Sequence, residues 1–269
     1  MKKVEIKKIQ QWELEVLTVF DTICRQNDIK YSLSGGTLLG AIRHKGFIPW
    51  DDDVDVLMTR EAYTKFLNIC KEQLPPNYFI QTNKTDDNYP LSFAKLRNQE
   101  YRVTVQELIN LDVQNGVCID IFPIDRAYDN FILDYIQRTL ISICDIVKLS
   151  CLKEKNSTKV KALLKKVIQI FAKIIKIKNI CLIDEKIRIN SSSRHEYTYA
   201  DFMPPAYKLK RTQRFKWDIF EHYCEVEFEG HSFMAIRDYD LYLSRWYGNY
   251  MKLPPKEKRI PDHNFILVE

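Results

Sequence analysis

Apolar residues in positions 4–26 recur at three- and four-residue intervals, at Ile9, Trp12, Val16, Val19 with Phe20, and Ile23. That spacing predicts an amphipathic helix, which Asn27-Asp28 ends. A short apolar run at 31–33 predicts a strand, followed by Gly35-Gly36 and a compact helical stretch from 37 to 44 that Gly46 closes. Pro49-Trp50 leads into Asp51-Asp52-Asp53-Val54-Asp55, and alternation through Val56 and Met58 predicts a second strand. Thr59 is the expected N-cap of a helix to about Leu74, with Tyr63, Phe66, Leu67 and Cys70 on one face. Pro75-Pro76 stops it. Further strands are expected at 78–81, 91–97, 101–105 and 117–121, the last ending in Phe122-Pro123.

The pattern then changes. Residues 128–152 and 158–190 read as long helices joined by the polar run KEKNST. Alternation over 222–236 with Glu229-Gly230 at its middle predicts a hairpin, and a helix over 238–246 precedes a Pro-Pro tail. The fold class is α/β in the α+β sense: a mixed-sheet core with helices over residues 1–126, then a mostly helical portion, 127–269, carrying one late hairpin. The two are expected to pack as one unit.

Composition narrows the function. With 45% hydrophobic and 12% aromatic residues over 269 positions, the chain is that of a folded protein with a substantial core. No apolar run reaches the roughly 18 residues of a membrane span, and the basic start MKKVEIKKIQ has no secretory-signal pattern. Seven cysteines without CxxC spacing fit reduced thiols, and a cytoplasmic location is expected. The net charge of +5 is uneven: positions 148–188 hold twelve Lys/Arg against three Asp/Glu, a local +9 that leaves about −4 for the rest. The candidate site is acidic, which argues against nucleic acid as a partner.

On a strand, Asp51, Asp53 and Asp55 share one face while Asp52, Val54 and Val56 take the other. Neighbouring carboxylates on one face repel unless a hard cation joins them, and magnesium (or manganese) also bridges phosphate oxygens. Asp120 supplies another carboxylate from the strand over 117–121, where it shares a face with Cys118 and Phe122. An EF-hand loop fits Asp51, Asp53 and Asp55 but fails at Val56 and Ala62, where glycine and glutamate are required. A DDxxD diphosphate helix conflicts with Pro49 and the β-branched alternation. A solvated turn conflicts with the alternating valines. Gly35-Gly36, where a strand gives way to a helix, offers bare backbone and free N–H groups to a phosphate. Five histidines show no metal-ligand spacing; His44, beside Arg43 and Lys45, reads as a helix-end cation.

A glycine-pair turn, an Asp-Val-Asp-Val strand and a third acid on a later strand together resemble the nucleotidyltransferase fold. GGTLLGAIRHKGFIPWDDDVDV (35–56), FAKLRNQ (93–99), IDIFPID (119–125) and YGNYMKLPPKEKR (247–259) further resemble the LicD family of phosphocholine transferases, to which fukutin-type glycan phosphotransferases are related. Asn249 stands where that family usually has aspartate, and Ile236 where proline is common. The resemblance implies transfer of phosphocholine from CDP-choline to a sugar hydroxyl of a teichoic acid, lipopolysaccharide or similar glycan, with CMP leaving. The rival within the fold is a nucleotidyltransferase acting on an NTP, or a transferase using another CDP-alcohol. The implied roles are Asp53 and Asp55 as metal ligands across the diphosphate and Asp120 as third ligand or base, with Asp51 a further ligand. Gly35, Gly36 and Thr37 would hold phosphate, Lys95 and Arg97 would neutralise the leaving nucleotide, and Trp50 would stack on cytosine or face choline.

The run over 158–178 places Val160, Leu163, Val167, Phe171 and Ile174 on one face and Lys161, Lys165, Lys173 and Lys176 on the other. It reads as a surface helix packed on its own domain, or as a peripheral contact with the inner face of an anionic membrane.

Overall fold

The computed structural model describes residues 4–105, 111–150, 168, 175–189, 195–199, 214–261 and 265–267. Helix α1 (Ile6–Gln26) buries Ile9, Val16, Leu17, Phe20 and Ile23, the stripe expected from the sequence, together with Glu13. Strand β1 (Ser32–Leu33) leads into α2 (Gly35–His44), β2 (Asp55–Thr59) and α3 (Arg60–Gln73). Thr59 caps α3 by accepting the Ala62 N–H at 3.4 Å. Strands β3 (Tyr78–Gln81), β4 (Ala94–Asn98), β5 (Val103–Val105) and β6 (Val117–Ile124) follow.

Five of these strands form one mixed sheet in the order β1-β2-β6-β4-β3. The central pair β2 and β6 is parallel, with Asp55 opposite Asp120. Strand β4 is antiparallel to β6, with Lys95 opposite Asp120. Two boundaries differ from the sequence expectation. Residues 51–54 lie outside the ladder, which begins at Asp55. Strand β6 runs on through Pro123, because the Asp120 N–H points to β2, bonding Val54 O at 2.8 Å. By alternation Pro123's missing N–H faces the β4 side, where pairing has already stopped at Ala94–Ile121.

After β7 (Arg126–Ala127) come α4 (Phe131–Ser150) and α5 (Ile177–Ile189), then β8 (Tyr197–Tyr199) and β9 (Arg214–Lys216), which join β7 in a small sheet the sequence pattern did not disclose. The basic run over 158–178 and the KEKNST linker lie almost wholly outside the described residues. Strands β10 (Tyr223–Phe228) and β11 (His231–Ile236) form the expected hairpin. Its turn residues Glu229 and Gly230 have φ of 50° and 74°, the signature of a type I′ turn. Helix α6 (Tyr239–Tyr247) follows, and a last strand, β12 (Phe265–Leu267), returns to pair with β5.

The main core draws on both sides of residue 126: Phe20, Phe66, Leu96 and Ile121 pack in one cluster with Phe215, Phe228, Phe233 and Tyr242. A second buried assembly is ionic. Lys148 on α4 bonds Asp184 (2.6 Å) and Asp145 (2.9 Å), and Arg188 on α5 bonds Asp184 (2.9 Å) and Asp145 (3.2 Å). The six cysteines among the described residues are free thiols. No helix among those residues is long and apolar enough to cross a membrane.

Removing one member of a buried charge network leaves the others under-compensated. Lys148→Met is expected to cost about 3–5 kcal/mol in urea unfolding at neutral pH.

Candidate active site

The start of α2 is where β1, β2 and the aspartates meet. Gly35 adopts φ +51°, and a Cβ there would stand 2.9 Å from Asp55 Oδ2. At Gly36 a Cβ would stand 2.3 Å from Asp51 Oδ2. Gly35 requires glycine by its positive φ, and at Gly36 a side chain would have to displace the Asp51 carboxylate, because two carboxylates press against the first turn of the helix, the end that carries partial positive charge. Thr37 is buried and its Oγ1 accepts the Asp55 N–H at 2.9 Å, so this hydroxyl ties α2 to β2. Tyr242 of α6 reaches the same point, with its hydroxyl 2.9 Å from Ser34 Oγ and accepting the Gly35 N–H at 3.4 Å.

The loop carrying the aspartates is held from two directions. Gln10 of α1 donates to Asp51 O (2.8 Å) and Ile48 O (3.3 Å). Glu229, at the hairpin tip, accepts the Phe47 N–H at 2.9 Å and donates its own N–H to Lys45 O at 2.9 Å. With these anchors Asp51, Asp53 and Asp55 come to line an open cleft of about 1080 Å³, beside Gly35, Gly36 and Trp50. Asp52 is buried, 3% exposed.

Basic side chains line the same cleft and come mostly from the C-terminal block: Lys252, Lys256, Lys258 and Arg259, with Arg43 of α2. Arg43 is fixed by donating to Tyr250 O at 2.6 Å. Arg259 donates to Pro254 O at 2.9 Å and lies over the Trp50 ring, 5.4 Å from its centroid. The cleft therefore holds both carboxylates and cations, the groups needed to bind a metal and a polyphosphate together. The motif YGNYMKLPPKEKR gives its cations no role by itself; the fold brings that block into the cleft that Asp53 lines.

Asp120 and Lys95 lie elsewhere. Asp55, Asp120 and Lys95 form one row across β2, β6 and β4. Lys95 Nζ donates to Asp120 Oδ1. Burial would pull the Lys95 ammonium down, but Asp120 outweighs it and holds the group above its ordinary value. This pair, Arg97, Cys118 and Asp53 line a second, small chamber of about 50 Å³, so that Asp53 borders both spaces. Arg97 is 4% exposed and donates to Gln81 Oε1 and Gly116 O, both at 2.6 Å. The structure thus gathers Gly35, Gly36, Trp50, Asp51, Asp53 and Asp55 at the cleft, places Lys95, Arg97 and Asp120 at the chamber, and makes Thr37 a structural tie. Among the described residues, no three His, Cys, Asp or Glu side chains are grouped so as to hold an ion by themselves. The donors available at the cleft are the hard oxygens of Asp53 and Asp55, and magnesium is commonly held by one or two carboxylates completed by substrate phosphates and water.

One acid in the chamber was missed. Glu13 is 1% exposed, and its Oε2 has no hydrogen-bond partner. Burial, then the charge of Asp53, pushes its carboxyl well above the ordinary carboxylate range. The signal was present in sequence, since Glu13 stands four residues after Ile9 and four before Leu17 in the apolar stripe of α1.

A mixed sheet with a glycine turn after its edge strand, carboxylates at the head of its central strand and a large cleft beside them fit a nucleotidyltransferase-type enzyme of phosphoryl transfer. The sequence model of the LicD/FKTN/FKRP nucleotidyltransferase domain matches residues 28–140. The lipopolysaccharide cholinephosphotransferase LicD of Haemophilus influenzae is 31% identical over 98% of this chain and 97% of its own. Uncharacterised proteins of Rickettsia typhi and Rickettsia prowazekii are 36% and 35% identical over 30% and 25% of the chain, covering 28% and 36% of their own lengths. The chain belongs to the LicD family.

Two outcomes follow from this geometry. Gly36→Ala should lower activity by at least about tenfold while shifting the melting temperature little, because the new methyl displaces Asp51 and not the core. Glu13 holds its proton to a higher pH in the native state than when unfolded. Its contribution is complete below the unfolded carboxylate pKa and is lost as pH rises toward the native value. Glu13→Gln should therefore flatten the fall of stability above about pH 4.5, by up to about 1.4 kcal/mol per pH unit, in urea titrations from pH 5 to 8.

Proposed function

We propose that the protein transfers phosphocholine from CDP-choline to a sugar hydroxyl of a cell-surface glycan and releases CMP. The observation that carries this reading is one cleft lined both by Asp53 and Asp55 and by Lys252, Lys256, Lys258 and Arg259. The Haemophilus relative, which aligns over nearly the whole chain and is itself named a lipopolysaccharide cholinephosphotransferase, supports it. The acceptor class is accordingly a lipopolysaccharide- or teichoic-acid-type glycan.

In the proposed reaction the acceptor oxygen attacks the choline-bearing phosphorus. A new P–O bond forms as the bond to the CMP phosphate oxygen breaks, and the hydroxyl proton passes to a carboxylate. Asp53, bordering both the cleft and the chamber, is placed to take it or to pass it toward Asp120. The lysines and Arg259 hold the donor's diphosphate and offset the charge that develops on CMP. Magnesium or manganese held by Asp53 and Asp55 together with diphosphate oxygens would supply further charge neutralisation. Trp50 has one ring face covered by Arg259, so a second cation there would meet like charge; cytosine is the better partner for the ring.

Asp53→Asn and Asp55→Asn should each lower CMP release from CDP-choline by at least about a hundredfold with an unchanged melting temperature. A chelator should stop the reaction and added magnesium restore it. Offering CDP-choline, another CDP-alcohol and an NTP in parallel decides the donor: diphosphate from the NTP, with no CMP from CDP-choline, would overturn the proposal. Lys256→Ala with Arg259→Ala should raise KM for the donor about tenfold, read from initial rates, since both cations line the cleft with the carboxylates.

A further inference from the structure

Arg43 differs from the lysines of the cleft in belonging to α2, the helix whose start the carboxylates occupy. Gly36, Leu39 and Arg43 follow one another at three- and four-residue spacing and all line the cleft, so they share one face of that helix. Asp51 and Asp55 fill the space beside Gly36 and Gly35. Arg43 stands two turns further on, about 10 Å along the axis.

Its hydrogen bonds leave part of the guanidinium unused. Nη1 donates to Tyr250 O at 2.6 Å and Nε to His44 Nδ1 at 3.4 Å, while Nη2 makes no hydrogen bond among the described residues. Arg259 is held in the same manner. Its Nε donates to Pro254 O at 2.9 Å, and both terminal nitrogens are left over among those residues. Arg60 and Arg188 bond carboxylates, of Asp125 and of Asp145 with Asp184; Arg43 and Arg259 are tethered by backbone carbonyls instead.

The two guanidiniums also act on each other. Burial draws that of Arg43 below its ordinary value; Tyr247 and Asp51 oppose the shift, and Arg259 adds to it. Asp51, the acid that Arg43 senses, is pressed against the start of α2. Two like charges, each tethered by a carbonyl and each with N–H donors left over, form a site for an anion with several oxygens. A phosphate meets both needs, since it accepts from both forks and its charge removes their repulsion.

We propose that Arg43 is a catalytic residue, a role that rests on the transfer reaction proposed above: its Nη2 contacts the donor's phosphate oxygens and closes on them together with Arg259. As the bond from the choline-bearing phosphorus to the CMP phosphate oxygen breaks, its electron pair stays on that oxygen. The two guanidiniums receive this charge through hydrogen bonds and give up no proton.

Arg43→Ala should lower kcat for CMP release from CDP-choline by about a hundredfold and raise KM by no more than about fivefold. That split is the reverse of the one expected for the loss of Lys256 and Arg259. Arg43→Lys keeps a charge and a donor for Tyr250 O but lacks the planar fork, and should stay at least about tenfold below wild type. Guanidinium chloride at millimolar concentration should raise the rate of Arg43→Ala and not that of wild type. A kcat within about threefold of wild type, or a loss confined to KM, overturns the proposal. So does full activity of Arg43→Lys, which would make Arg43 a tie to Tyr250 and no more.

A second arm reads binding without turnover. Calorimetry of inorganic pyrophosphate with magnesium should show about fivefold weaker binding by Arg43→Ala than by wild type, and equal binding overturns the contact. Should Arg43→Ala fail to fold, Arg43→Gln, which keeps an N–H donor for Tyr250 O, takes its place in both arms. Pyrophosphate carries neither cytidine nor choline. A wild type that releases no CMP from CDP-choline therefore sinks the reaction reading, while the pyrophosphate arm still decides Arg43.

Discussion

The site depends on how closely two carboxylates approach the beginning of a helix. Asp55 Oδ2 and Asp51 Oδ2 occupy the space where side chains at Gly35 and Gly36 would begin. The carboxylates gain the positive end of α2, and the helix gains acids at its first turn. Everything nearby serves that approach. Thr37 takes the Asp55 N–H, Ser34 donates its N–H to Asp55 O at 2.9 Å, and Tyr242 closes the far side. The parallel register of β2 with β6 then fixes where Asp120 can stand, directly across from Asp55. A slip of one residue would turn every one of these acids to the opposite face.

This arrangement explains why elements distant in sequence belong to the same site. The hairpin contributes no group to the cleft, yet Glu229 at its tip bonds Phe47 N–H and sits so near Gly46 that a Cβ there would stand 2.1 Å from Glu229 Oε1. It braces the loop that delivers Asp51 and Asp53. Helix α6 supplies Tyr242, and the turn after it starts the block that carries most of the cleft's cations. Of the two aspartates in IDIFPID that follow Val117-Cys118, Asp120 borders the chamber. Asp125 instead receives Arg60 Nε at 2.8 Å and anchors the start of α3. Residues within one short motif thus divide between chemistry and scaffold.

What could be read from sequence followed periodicity and turn chemistry. Helices α1 and α3, the cap at Thr59 and the Glu229-Gly230 turn were legible because each is decided by residues within a few positions. The division of Asp51, Asp53 and Asp55 from Asp52 was legible too, although only Asp55 is in the ladder; extended backbone alternates whether or not it is paired. Strands β7, β8, β9 and β12 were not, being two or three residues long and stabilised by partners far along the chain. The same reason hid the cations that share the cleft with the aspartates. Lys95 and Arg97 were correctly placed on one strand face, but strand alternation alone does not say that this face looks into a chamber shared with Glu13 and not into the cleft.

Glu13 and the interior of α4 pose one physical question in two settings: what a folded chain gains by burying charge. Around α4 and α5 the answer is orientation. Lys148, Arg188, Asp145 and Asp184 bond one another, although Asp184 Oδ1 is left without a hydrogen-bond partner, and hydrophobic residues of similar size could replace them with little loss of stability. What such a replacement would lose is the rule that this face of α4 turns inward, and with it the outward display of Ile132, Ile136 and Ile143. Glu13 has no such exchange of bonds, since its Oε2 is left without a partner. Its carboxyl, raised by burial and by Asp53, resists adding a further negative charge to the chamber it shares with Asp53, Asp120 and Lys95. The buried polar groups of this fold therefore act chiefly on position, by setting which faces and which carboxylates reach the surface, and the apolar core supplies the stability that makes those placements affordable.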